Sequence, residues 1–265
     1  MARTVIPGIP HHVTQRGNGR AQTFFDDGDY RFYLDRLAAE CRTAGVGVWA
    51  WVLMPNHVHL ILTPTDGDGL RRALSRVHRA HAGRIHARLG RSGHFWQGRF
   101  GCVAMDESHL MAALRYAARN PVRAGLVARP EDWRWSSVHA QLGHPVGRGA
   151  AGDGLTDTAP VRERYPDFAG LLAADDDPEA MQALRRAESV GRPIGDDEFL
   201  GRLESLTGRR LKRQKPGPGG VNFEVQRSVA WSDHRRLVLE DLVWGEEVED
   251  FPGSVVEALG NVIEV

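Results

Sequence analysis

Along the first 140 residues the apolar positions alternate between a period of two and a period near four. Residues 11–17, His-His-Val-Thr-Gln-Arg-Gly, alternate and run into Gly17-Asn18-Gly19, which predicts a strand ending in a turn. Over 27–44, Phe32, Tyr33, Leu37 and Cys41 recur at helical spacing behind a capping Asp27 or Asp29, and Gly45 stops the run. Residues 46–54 are β-branched and aromatic, a buried strand, and after the Pro55-Asn56 turn residues 57–63 form its antiparallel hairpin partner. Leu70, Leu74, Val77, Ile85 and Leu89 stripe a long helix over 70–89, and arginines populate the rest of its surface over 71–88. Residues 95–104 read as a fourth strand, and 107–119 as a helix that ends before Pro121. Strand, helix, strand, strand, helix, strand, then a helix is an α+β order. It predicts the ferredoxin-like (RRM-like) arrangement, a four-stranded antiparallel sheet backed by helices.

Beyond residue 140 the character changes. Residues 141–160 are rich in Gly, Asp and Thr and read as a linker. Residues 161–215 form a mainly helical C-terminal extension, with helical patterns at 165–172, 178–190 and 196–206. It ends in the basic run Arg209-Arg210-Leu211-Lys212-Arg213-Gln214-Lys215. Pro216-Gly217-Pro218-Gly219-Gly220 then predicts a flexible break, and 216–265 is an acidic tail without an assignment.

Composition narrows the function classes. The longest apolar run, 46–54, is far too short for a bilayer, and no signal-like apolar core precedes Pro7, so a cytoplasmic, nucleoid-associated protein is expected. Two cysteines, Cys41 and Cys102, exclude a thiolate zinc site or a disulfide framework, and Cys41 is expected to be an inert, half-buried thiol. The formal net charge of zero conceals an asymmetry. Residues 1–140 hold 19 arginines and no lysine against 11 acidic residues, a net of +8, and the remainder carries −8. Arginine suits planar, bidentate phosphate contact, so the first part is the expected nucleic-acid-binding part.

Two clusters carry chemistry. In His57-Val58-His59 the strand period points both imidazoles to one face, close enough to chelate a metal ion. The same spacing also serves a structurally bonded pair. Tyr116 and Asn120 lie four apart near a helix end, so the Asn120 amide oxygen can complete a metal site beside the Tyr116 phenol. Equally, Tyr116 can be a core aromatic, with Asn120-Pro121 a helix stop.

Taken together, Met54-Pro55-Asn56-His57-Val58-His59-Leu60 and Tyr116-x-x-x-Asn120-Pro121-Val122-Arg123-Ala124 resemble the single-tyrosine HUH (IS200-like) transposases, and most of all the REP-associated tyrosine transposases of bacteria. His12-Val13-Thr14-Gln15-Arg16-Gly17-Asn18, Phe95-Trp96-Gln97-Gly98-Arg99-Phe100 and Trp133-Arg134-Trp135-Ser136-Ser137 agree in the same order. The resemblance covers roughly residues 3–140, the expected catalytic domain, and weakens through Gly191-Arg192-Pro193-Ile194-Gly195 to about residue 215. It implies a ferredoxin-like fold and a site with Mg²⁺ or Mn²⁺ on His57, His59 and Asn120. It also implies a Tyr116 nucleophile that cuts and rejoins single-stranded DNA at REP-like hairpins through a 5′-phosphotyrosine, without ATP, in a monomer or homodimer with no membrane partner. Arg16, Asn18, Arg20, the arginines of 71–88, Arg99, Arg115, Arg119 and Arg123 are the expected DNA contacts, and Trp96, Trp133 and Trp135 can stack on bases or pack in the core. Two other classes stay in view. One is a non-catalytic, sequence-specific nucleic-acid-binding protein on the same fold. The other is a metallohydrolase using water, which needs a general base near the metal, and no acidic residue has suggestive spacing.

Overall fold

The computed structural model describes residues 4–144, 154–175 and 177–212. The chain divides into two units, 1–215 and 216–265. The linker residues 145–153, the end of the basic run, the Pro/Gly break and the acidic tail lie outside the described residues.

The sheet consists of β1 (His11–Arg16), β2 (Val46–Met54), β3 (His57–Pro64) and β4 (Gly101–Ala104), in the order β2-β3-β1-β4. Every pairing is antiparallel, which gives the expected α+β ferredoxin-like topology. Pro55 and Asn56 close the β2–β3 hairpin with Met54 opposite His57. The helices α1 (Asp27–Ala44) and α2 (Gly69–Leu89) cross over on one face. Asp26 rather than Asp27 or Asp29 caps α1, accepting from Asp29 N at 3.0 Å, and Gly45 ends it at φ 65°. Their apolar stripes meet Val13, Trp51, Leu53, Val58, Leu60 and Leu62 in the main core. Cys41 lies wholly inside it, and burial pushes its thiol up to about 12, so the inertness expected of it holds with more burial than expected.

The fourth strand is shorter than the expected 95–104. Asn18 N donates to Phe95 O and Gln97 N to Arg16 O, so the segment starts to pair beside β1. At Gly98, φ 144° turns it out of the ladder, and pairing resumes only at Gly101. The helix expected over 107–119 is α3 (Glu107–Ala118), followed by the single turn α4 (Asn120–Arg123). Pro121 has no N–H to donate back to Ala117, so the helix breaks at Arg119, although Arg119 N still reaches Arg115 O at 2.9 Å.

α3 covers the second face of the sheet together with helices contributed by the chain beyond residue 137. These are α5 (Val138–Gln141), α6 (Ala159–Arg164), α7 (Phe168–Ala173), α8 (Pro178–Val190) and α9 (Asp197–Thr207). Val161, Phe168, Leu171, Leu172 and Leu184 join Ile61, Val103, Leu110 and Leu114 in a second core. Both sheet edges are closed by the chain that follows α4. Along β2, Leu53 N donates to Trp135 O, Ser137 N to Trp51 O and Asp157 N to Val48 O. At β4, Ile194 N donates to Ala104 O and Asp106 N to Ile194 O. The Ile194 clamp fixes where α8 ends, and so lays α8 across β1 and β4. Gly101 makes room for it: a Cβ there would meet Thr14 Oγ1 at 2.6 Å and the Glu188 carbonyl at 3.4 Å.

Burial depresses two fully buried histidines, His11 and His81. His11 Nδ1 donates to Ile9 O and its Nε2 accepts from Ile6 N, while His81 Nε2 donates to Thr23 O. Desolvation lowers both from 6.5 to about 4. The unfolded chain therefore binds more protons below 6.5. The stability contribution is complete above that value and is lost as pH falls through about 4. By roughly pH 5 each ring should cost the fold about 1–2 kcal/mol, read as a lower urea midpoint than near pH 7.5. An unchanged midpoint would show that these rings are not held neutral.

Candidate metal and nucleophile site

The strand period decides which side chains meet. Arg16 pairs with His57, Thr14 with His59 and His12 with Ile61, so these groups share the α3/α8 face while Val13, Val58 and Leu60 take the other. His57 and His59 are both buried, with ring centroids 5.0 Å apart. His12 sits diagonally across from His59, its ring stacked at 5.1 Å and its Nε2 3.0 Å from His59 Nδ1. α3 brings Tyr116 edge-on to His59 with centroids 5.3 Å apart, and α4 puts Asn120 Nδ2 2.9 Å from His59 Nε2. The four residues singled out for chemistry, Tyr116, His57, His59 and Asn120, thus lie together. Asn120 does so from its own short turn rather than from the last turn of the tyrosine helix.

Donor inventories fix the protons on the ring nitrogens. Asn120 Nδ2 can only donate, so His59 Nε2 is the unprotonated acceptor and its Nδ1 carries the hydrogen. Asn56 Oδ1 can only accept, and lies 2.6 Å from His57 Nδ1, so His57 also has a bare Nε2. Desolvation, with Arg16 nearby, lowers His57 from 6.5 to about 3. Burial, His12, His57 and the cations Arg16 and Arg123 hold His59 well below its ordinary value. Both rings are neutral, the form that binds a metal. A half-turn of the Asn120 amide adds an oxygen to the two imidazole nitrogens, a set that fits a divalent cation.

α8 brings two groups that sequence reasoning missed. The Arg185 guanidinium lies 5.7 Å from the Tyr116 ring centroid and joins that of Arg123, 4.2 Å from it. Glu188 Oε1 lies 3.3 Å from His12 Nδ1. That pair is close without hydrogen-bond alignment, and both atoms are buried and otherwise unpartnered. Burial raises Glu188 to about 7 against the pull of Arg16 and Arg185, and lowers His12 to about 4. His12, His59 and Glu188 each bring a ligand atom within 4.8 Å of the others. An acidic group therefore does stand beside the histidines. Its position was illegible because a helix residue some 130 positions from His59 carries no spacing signal.

The remaining expected contacts separate. Arg16 and Arg99 line an open cleft of about 320 Å³ with His57, His59, Arg185 and Glu188. Asn18 and Arg20 are exposed in the 3₁₀ turn after β1. Arg123 caps Tyr116, and Arg119 reaches Ala174 O at 3.1 Å. Arg115 is buried and donates to Leu171 O at 2.9 Å and Asp175 O at 2.6 Å, so it serves the α7 end rather than DNA. In α2, Arg72, Arg76 and Arg88 are paired with Asp66, Glu40 and Asp29. Trp135 is core, stacked on Tyr30 at 4.6 Å, and Trp133 and Trp96 are half-buried, donating to Leu53 O and His78 O.

Residues 7–120 match the family described as Transposase IS200 like. Over this segment the chain is similar to the IS200-like transposases. Among solved structures, a REP-associated tyrosine transposase bound to a REP hairpin is 24% identical, covering 60% of this chain and 88% of that one with a TM-score of 0.45. A crystal structure of a candidate transposase from Deinococcus radiodurans R1 is 22% identical, covering 45% of this chain and 95% of that one with a TM-score of 0.33. No curated protein matches. The match ends at Asn120, so α8 with Arg185 and Glu188 lies outside the matched segment. Among the described residues no helix is long and apolar enough to cross a membrane.

Losing Arg115 strands the carbonyls of Leu171 in α7 and Asp175 just after it. Arg115→Ala should lower unfolding free energy by about 2–3 kcal/mol in urea titration. A change below about 0.5 kcal/mol would mean that α7 is anchored without it.

Proposed function

We propose that the protein cuts and rejoins single-stranded DNA beside REP-like hairpins, with Tyr116 as nucleophile and residues 1–140 as the HUH single-tyrosine catalytic domain. The observation that carries this reading is the Tyr116 ring edge-on to His59, in one chain, with the bare imidazole nitrogens of His57 and His59 on the same sheet face. His57, His59 and the Asn120 amide oxygen would hold Mg²⁺ or Mn²⁺, which when bound supplies Lewis acidity at a non-bridging phosphate oxygen.

The Tyr116 oxygen gives up its proton to solvent and attacks phosphorus in line, and the departing O3′ takes a proton from solvent. The P–O3′ bond breaks, the upstream strand leaves as a 3′-OH, and the downstream strand stays on Tyr116 as a 5′-phosphotyrosine. Attack by another 3′-OH reverses the exchange and returns the tyrosine, so the ester conserves the bond energy and no ATP is consumed. Arg123 and Arg185 flank the Tyr116 ring and oppose the negative charge that develops on its oxygen. Arg16 and Arg99 in the cleft, with Asn18 and Arg20 beside it, hold the sugar-phosphate backbone.

Glu188 favours a second reading, in which this carboxylate draws a proton from water and the products are a free 5′-phosphate and a 3′-OH. Incubation with single-stranded hairpin DNA from the gene's own flanks and Mg²⁺ separates the two. The parent should give a covalent adduct stable to denaturant. Tyr116→Phe should fold, bind hairpin and give none, and His57→Ala should lose cleavage while keeping hairpin affinity within about threefold, because phosphate contacts supply it. An adduct with Tyr116→Phe moves the nucleophile elsewhere. Cleavage without any adduct in the parent favours water, and hairpin binding without cleavage favours a binding-only protein.

A further inference from the structure

Adjacent histidines at the start of β1 have opposite fates. His11 is satisfied at both ring nitrogens by nearby backbone. His12 is wholly buried, touches His59 with Nε2, and has an otherwise unpartnered Nδ1 3.3 Å from Glu188 Oε1, close but not aligned. Among the described residues no backbone group bonds the His12 ring, and α8 is placed over it by the Ile194 clamp on β4. Packing alone gives no reason to bury an imidazole and a carboxylate face to face, because each leaves a polar atom without a hydrogen bond.

We propose that Glu188 and His12 form a proton-ordered relay that holds His59 in the Nδ1–H tautomer and so presents its Nε2 to the metal. His59 Nδ1 donates to His12 Nε2. That leaves the hydrogen of the neutral His12 ring on Nδ1, which faces the Glu188 carboxylate at 3.3 Å. Metal-binding histidines ordinarily hand their second N–H to a carboxylate or carbonyl, which fixes ring orientation and raises ligand basicity. Here an imidazole is interposed, and the carboxylate comes from α8. His57 has its simpler counterpart in Asn56, one residue away. The two metal-facing histidines are therefore locked in the same tautomer by different partners. One partner is local in sequence; the other depends on the C-terminal extension being docked. His12 and Glu188 are positioning residues, and the proposal rests on the reading that His57 and His59 hold the cation.

The test uses the full-length, metal-free protein labelled with ¹⁵N-histidine, with resonances assigned by single substitutions, followed by Mn²⁺ titration. In the parent His59 should show the Nδ1–H tautomer. His12→Phe keeps a buried ring but removes the acceptor. It should shift His59 toward Nε2–H and weaken Mn²⁺ binding about 10- to 100-fold. His12→Gln, whose amide oxygen can take the place of the imidazole Nε2, should restore both. Glu188→Leu should weaken Mn²⁺ at least severalfold, and since Glu188 sits at the cleft rather than in the core, it keeps the measurement possible if His12→Phe fails to fold. An Nε2–H His59 in the parent, or unchanged Mn²⁺ affinity in the folded variants, overturns the relay. So does a Glu188→Leu protein that loses Mn²⁺ as completely as His57→Ala, since Glu188 would then be a ligand itself. If His57→Ala binds Mn²⁺ like the parent, the metal reading fails as well. If His57→Ala loses Mn²⁺ while His12→Phe and Glu188→Leu keep it, only the relay fails.

Discussion

The site depends on the two-residue period of the strands. Because β1 and β3 pair with His12 opposite Ile61, Thr14 opposite His59 and Arg16 opposite His57, one sheet face carries its polar groups in a contiguous stripe. The alternate residues, Val13, Val58, Leu60 and Leu62, go to the core under α1 and α2. A one-residue slip of β3 would exchange the faces, sending Val58 into the cleft and two imidazoles into an apolar core. The register that builds the core is thus the register that builds the site, and selection on either one constrains the other.

A polar stripe in a covered sheet face is costly, and the molecule offsets that cost unevenly. His57 and His59 find amide partners in Asn56 and Asn120, and both rings stay neutral. His12 and Glu188 are left close but unaligned. The covering layer is itself held by main-chain pairing at both sheet edges, with residues 135–137 and 157 on β2 and Ile194 on β4. Through Arg185 and Glu188, α8 is consequently part of the cleft lining, even though the transposase family match stops at Asn120.

What could be read from the sequence follows from how local each signal is. His57-x-His59 is legible because alternation within one strand guarantees a common face, and Tyr116 to Asn120 because one helical turn brings them together even across the break at Arg119. The hairpin, α1 and α2 follow from apolar period and turn residues. The fourth strand was overextended because the aromatic run from Phe95 to Phe100 has β character, and a single glycine with positive φ overrides it. Arg115 belongs by composition with the other arginines, and only the docking of α7 shows that it faces inward. His12 was within a recognised motif but carried no role, since its partner on the next strand is set by register. Glu188 gave no signal at all, because a crossing helix places its residues by tertiary packing.

The central claim is that this sheet face is a metal centre in which His59 turns one nitrogen to the cation and the other to His12. Anomalous diffraction from crystals of the full chain soaked in Mn²⁺ tests it most directly. The account predicts one ion within coordination distance, about 2.0–2.3 Å, of His57 Nε2, His59 Nε2 and the Asn120 amide oxygen, with His12 and Glu188 behind His59 and off the ion. An ion lodged between His12 and Glu188, with His57 uncoordinated, would contradict it.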